Sequence, residues 1–128
     1  SNFGSSNEVC TNKVAKATRL VKERRPDLII DGEIQANFAL NSKMTKEIFP
    51  FSTLAEKRAN TLIFPNLSSG NIAYKLIQEM EKIEVIGPIL IGLEKSYHVL
   101  QMGSSTREIH NMIRIAVVDA HIKNQKTD

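Results

Sequence analysis

The chain has 128 residues, 41% hydrophobic and 24% charged, a balance that excludes disordered and fibrous classes. Its net charge is +3, with ten basic and seven acidic residues up to Phe64 and seven of each beyond it. That excess is too small and too scattered for a nucleic-acid surface, and 5% aromatics without Trp leave little for base stacking. The length suits one domain with a real core.

The single cysteine, Cys10, has no internal disulfide partner, which reads as a reduced, cytoplasmic setting. No apolar run approaches the roughly 18 residues of a membrane span. The three histidines, His98, His110 and His121, lie at least eleven residues apart, and no metal-ligand spacing recurs among them.

In chain order, the first strong period is helical, from about Asn7 to Arg25. Val14, Ala17, Leu20 and Val21 make its stripe, and Pro26 stops it. The cations Lys22 to Arg25 read as a solvated helix end. Leu28, Ile29 and Ile30 form a short run, apolar on both faces, that predicts an interior parallel strand. A weaker helical pattern follows within Gln35 to Ile48. Leu62 to Phe64 and Val85 to Ile91 predict two more strands, the latter bent at Gly87 and Pro88, and Ser96 to Leu100 a short fourth. Between them, Ile72, Ala73, Leu76, Ile77 and Met80 predict a helix from about Gly70 to Glu81, with Tyr74 and Met80 as packing residues and Ser68 or Ser69 as N-cap. Ser105 and Glu108 form a capping box for the last helix, whose buried stripe is Ile109, Met112, Ile113, Ala116, Val117 and Ala120. Residues 123–128 are expected to fray. Alternating helices and strands predict a single α/β domain over 1–128, a three-layer αβα arrangement with a mainly parallel sheet.

In such a sheet, ligands gather outside the strand ends. The Asp31-Gly32-Glu33 loop and the Pro65–Asn71 loop qualify. The second offers free amides, Gly70 for close approach and a positive helix end to an anion, or is simply a capped turn. Asp31 and Glu33 read as a solvated pair. Glycine-rich nucleotide fingerprints are missing.

At these loops a family becomes visible. Pro26-Asp27-Leu28…Asp31-Gly32-Glu33-Ile34-Gln35, "IFPNLSSGNIAYKLIQ" and "IGPILIGLEK" resemble three successive motifs of phosphotransacetylases, from Phe3 to about Asn124. The match covers only the later part of that family's length. The opening "SNFGSS" resembles its serine-containing loop. In the family, Asp-Leu-Ser-Arg-Gly and then a helix-start Asp follow. The Asp takes the CoA thiol proton, and Arg and Ser stabilise the acyl-phosphate transition state. Aligned through Gly103, those positions hold Gln101 (Ser), Met102 (Arg) and Glu108 (Asp). Glu108 keeps a carboxylate, but Met102 cannot supply the cation, and losing a preorganised charged donor costs orders of magnitude in rate.

That departure, with "NFAL", "FPFSTL" and "NMIRIAVVDAH", is similar to the C-terminal phosphotransacetylase-like domain of hybrid NADP-dependent malic enzymes. The resemblance implies a regulatory, acetyl-CoA-sensing and oligomerising part with a degenerate transferase site. Malate decarboxylation with NADP and a divalent metal would belong to an N-terminal part absent here. This stretch would then hold no cofactor of its own. The implied ligand-binding residues are Asp31, Asn66, Ser69, Gly70, Asn71, Gln101 and Met102, with acetyl-CoA as effector. Apolar faces left uncovered without the family's first half predict a homo-oligomer. The alternative implication is an active phosphate acetyltransferase moving an acyl group between phosphate and CoA.

Overall fold

A computed structural model describes residues 1–81 and 85–125. The described residues form five helices and no strand: α1 (Val9–Arg24), α2 (Ala36–Ala39), α3 (Ser42–Ile48), α4 (Leu67–Glu81) and α5 (Thr106–Asn124). The three-layer αβα arrangement with a parallel sheet is therefore corrected to a helical one. A run apolar on both faces reads as an interior strand only if neighbours cover both faces. Here Ile29 is 56% exposed, Ile63 78% and Ile91 86%. The periodicity registers the apolar side chains; it is blind to whether a neighbouring strand stands beside them.

The chain divides into two compact units, Ser1–Lys75 and Leu76–Asp128. In the first, α1 ends as its sequence dictates: the Arg25 amide donates to Val21 O at 2.8 Å and Pro26 follows. Its buried residue is Thr18, beside the predicted apolar stripe rather than on it. The weak 35–48 pattern resolves into two short helices that pack together. Asn41 divides them, its side chain accepting the Met44 amide at 3.1 Å, a favoured N-cap chemistry. Thr45 is fully buried and donates its hydroxyl to Phe38 O at 2.6 Å.

Four phenylalanines pack edge to face in this unit. Phe3 lies 5.1 Å from Phe49 and 5.0 Å from Phe51, and Phe38 lies 5.0 Å from Phe49, between ring centroids. Such pairs add about 0.5–1.5 kcal/mol beyond their buried area. The buried apolar residues of this unit are Ala39, Leu54 and Ala55, while Phe3, Phe38 and Phe49 are half-buried and Phe51 is exposed.

α4 starts at Leu67, three residues earlier than its apolar period suggests. Its N-cap is Asn66, not Ser68 or Ser69: Asn66 Oδ1 accepts the Ser69 amide at 2.9 Å and the Ser69 hydroxyl at 3.0 Å. Ile72, Leu76, Ile77 and Met80 are exposed, so Met80 is not the packing residue its spacing predicts.

In the second unit the expected bend at Gly87 and Pro88 coincides with a cis peptide. The short strand expected over 96–100 is not formed. That stretch is tied to α5 by side chains instead: Ser96 donates to Ala116 O at 2.9 Å, and Lys123 donates to Lys95 O at 3.3 Å. α5 carries the predicted capping box. Met112 is buried, but Ile109, Ile113 and Val117 of the predicted stripe are exposed. α5 reaches Asn124, so the start of the expected frayed tail is helical; residues 126–128 lie outside the described residues.

Candidate functional site

Asp31 sits just after the Leu28–Ile30 run, at the lining of an open groove of about 860 Å³ in the first unit. Its side chain is only 7% exposed. Oδ1 accepts Lys22 Nζ at 2.7 Å and the Gly32 amide at 3.1 Å. Oδ2 accepts the Ser52 hydroxyl at 2.8 Å and the Thr53 amide at 2.9 Å. Burial pushes this carboxyl up, but the Lys22 ammonium, the Ser52 hydroxyl and the two amides together hold it below the ordinary carboxylate value.

Glu33 is 6% exposed and serves a different set of donors. Oε1 accepts the Gly4 amide at 2.5 Å and the Ser1 hydroxyl at 3.1 Å, while its carbonyl takes the Phe3 amide at 2.9 Å. Burial again raises the carboxyl, and the Gly4 amide and the Ser1 hydroxyl bring it below the usual range. The expectation of a solvated Asp31 and Glu33 pair is thus corrected. Both are buried struts, one tying α1 to residues 52–53, the other tying the N-terminal turn to residue 33. Lys22 to Arg25 are all exposed, as a solvated helix end requires; there Lys22 pairs with Asp31, and Arg25 makes a two-pronged bond to Asp27 at 2.8 and 2.6 Å.

In the Pro65–Asn71 loop, the Asn66 cap already uses the Ser69 amide that an anion would seek. Gly70 is half-buried; a Cβ there would meet Phe64 at 3.7 Å, an ordinary contact. Asn71 is exposed. These four residues and Asp31 belong to the first unit, and Gln101, Met102 and Glu108 to the second.

There a cleft of about 10 Å³, roughly the space of one water, is lined by Gln101, Ser104, Glu108 and Asn111 above an apolar floor of Val85, Ile86, Leu100 and Met112. Gln101 and Glu108 come together in it. Met102 does not line it and is fully exposed. Gly103, at φ +85°, lies in the turn between Gln101 and the start of α5, a conformation glycine adopts without penalty. Glu108 Oε2 accepts the Ser105 amide at 2.7 Å.

Sequence reasoning missed Ser52 and Thr53, because nothing local signals a bond to a carboxylate 21 residues upstream. It also missed His98, whose side chain is 3% exposed with Nε2 3.5 Å from Asp119 Oδ2. The separation meets the ion-pair distance, yet neither ring nitrogen has a hydrogen-bond partner. Asp119 is held below the ordinary carboxylate value chiefly by Lys123, whose Nζ donates to it at 2.7 Å. Among the described residues, no three His, Cys, Asp or Glu side chains converge to hold a metal, and no helix is long and apolar enough to cross a membrane.

The first unit thus carries a carboxylate-braced groove, and the second a polar cleft at a capped helix start. The family described as Phosphate acetyl/butaryl transferase matches residues 1–117, and the chain belongs to that family. It is 44% identical over 120 residues to an NADP-dependent malic enzyme of Haemophilus influenzae, covering 94% of this chain and 16% of that one. It is equally 44% identical over 120 residues to a phosphate acetyltransferase of Acetivibrio thermocellus, covering 94% of this chain and 36% of that one. An NADP-dependent malic enzyme of Escherichia coli is 40% identical over 121 residues, with 94% and 16% covered. The chain therefore spans between about a sixth and about a third of these curated relatives' lengths.

Proposed function

We propose that this chain is the regulatory, phosphotransacetylase-like part of an NADP-dependent malic enzyme, that it binds acetyl-CoA and self-associates in the cytoplasm, and that its transferase site is degenerate. One observation carries the reading. Met102 stands where the family's motif has its arginine, and it is a fully exposed thioether outside the cleft that Gln101 and Glu108 line. A thioether cannot neutralise the charge of a transferring acyl phosphate, and preorganised charge is the largest single contribution to such chemistry. The Glu108 carboxylate, where the family has its base, is engaged with the Ser105 amide.

In the first unit, acetyl-CoA binding would draw on Asn66, Ser69, Gly70 and Asn71 at the start of α4. Asp31 acts in this reading by bracing Lys22 and residues 52–53, since both of its oxygens already have donors. The described residues offer no donor set for the divalent metal of malate decarboxylation, so no step of that reaction is assigned to them. The test is to titrate acetyl-CoA into the polypeptide that carries this chain while following NADPH formation from malate. Inhibition supports the reading; an unchanged rate at saturating ligand refutes it.

The second reading is an active phosphate acetyltransferase. Two observations favour it: Glu108 keeps a carboxylate in the cleft, and the identity to the Acetivibrio thermocellus transferase is as high as that to the malic enzyme.

A further inference from the structure

Met102 stands where the family's motif has arginine, and the turn that leads into α5 displays it to solvent. The Ser104 amide and hydroxyl both donate to Gln101 O, at 3.1 and 2.9 Å, closing a four-residue turn. Gly103 holds the third position at φ +85°, where such turns favour glycine. Met102 is left at the tip, fully exposed. The other three methionines of the chain are more sheltered. Met80 on α4 is 77% exposed, Met44 on α3 37% and Met112 on α5 6%. Asn37 Nδ2 also donates to Met44 Sδ at 3.8 Å.

A thioether differs from a guanidinium in more than charge, because a peroxide oxidises it. The sulfur lone pair attacks one peroxide oxygen, and the S–O bond forms as the O–O bond breaks. The leaving hydroxide takes the proton of the transferred oxygen and departs as water. Sulfur is oxidised by two electrons and the peroxide is reduced. The side chain becomes a polar sulfoxide, which methionine sulfoxide reductases return to the thioether. The reaction needs open approach to sulfur, which the turn tip gives and the floor of the cleft, where Met112 lies, does not. We propose that Met102 is a reversible oxidation site, through which hydrogen peroxide changes the turn beside Gln101 from apolar to polar. An arginine at that position could not respond. The proposal stands whether or not the chain binds acetyl-CoA or transfers acyl groups.

Treating the polypeptide that carries this chain with hydrogen peroxide, and following each methionine by peptide mass spectrometry, tests it. Cys10→Ser keeps the exposed thiol out of the reaction. The Met102 peptide should gain one oxygen before those of Met80 and Met44, and about tenfold or more faster than that of Met112, since sulfur must be reached to react. The reductases specific for each sulfoxide epimer should together remove that oxygen completely. Protein oxidised at Met102 alone should keep the urea midpoint of untreated protein, because a fully exposed side chain contributes no packing. Met102→Leu should leave the other three methionines reacting at their parent rates. Oxidation of Met80 or Met44 ahead of Met102, a Met102 sulfoxide that resists the reductases, or unfolding in step with Met102 oxidation would each overturn the proposal.

Discussion

Glu108 and Ser105 satisfy one another. The Ser105 amide donates to Glu108 Oε2 at 2.7 Å, and the Glu108 amide donates to the Ser105 hydroxyl at 3.2 Å. The residue at the family's general-base position thus has a structural duty at the start of α5. Ser105→Ala should cost about 1 kcal/mol of stability, measured by urea unfolding. Glu108→Gln should cost less, because a glutamine also closes the box. Equal losses from both would contradict the reciprocal cap.

Asp31 makes a prediction about acid. Its carboxyl is lowered in the folded chain, so the unfolded state binds the proton more readily. The stability it contributes is complete above about pH 4, the unfolded value, and is lost as pH falls through the lower folded value. Asp31→Asn should be less stable than the parent by about 2 kcal/mol near pH 6, since bonds to a charged acceptor are lost. The difference should shrink towards zero in the acid range. A gap that persists unchanged at low pH would show that charge is not what Asp31 supplies.

Much of this was legible in the sequence, and the limit is physical. The capping box and the Pro26 stop are local, and both stand where the residues place them. Asn41 was equally local, an N-cap signal hidden because the apolar period of 35–48 was weak. The braces on Asp31 and Glu33 close over 21 and 29 residues, beyond what any local pattern encodes. The strands failed for a related reason. Leu28–Ile30 and Leu62–Phe64 carry the side chains of buried strands, but burial needs neighbours that periodicity cannot report. In the two candidate loops, the internal bonding of Asp31 and of Asn66 was not legible.

Gly70 separates a folding role from a binding role. A methyl there meets Phe64 at an ordinary 3.7 Å, so Gly70→Ala should leave the fold intact and raise stability by about 0.5 kcal/mol through reduced chain entropy. In the proposed site the same methyl stands where a ligand approaches the backbone. Acetyl-CoA binding by calorimetry should weaken by about tenfold, or 1.4 kcal/mol. Unchanged binding would remove Gly70 from the site.

The most direct test of the account follows acetyl-CoA formation from acetyl phosphate and CoA by the polypeptide that carries this chain. With Met102 in place of the arginine, the rate should stay at least about a hundredfold below that of the Acetivibrio thermocellus transferase assayed alongside. Turnover at an ordinary enzymatic rate, about 1–1000 per second, would contradict it.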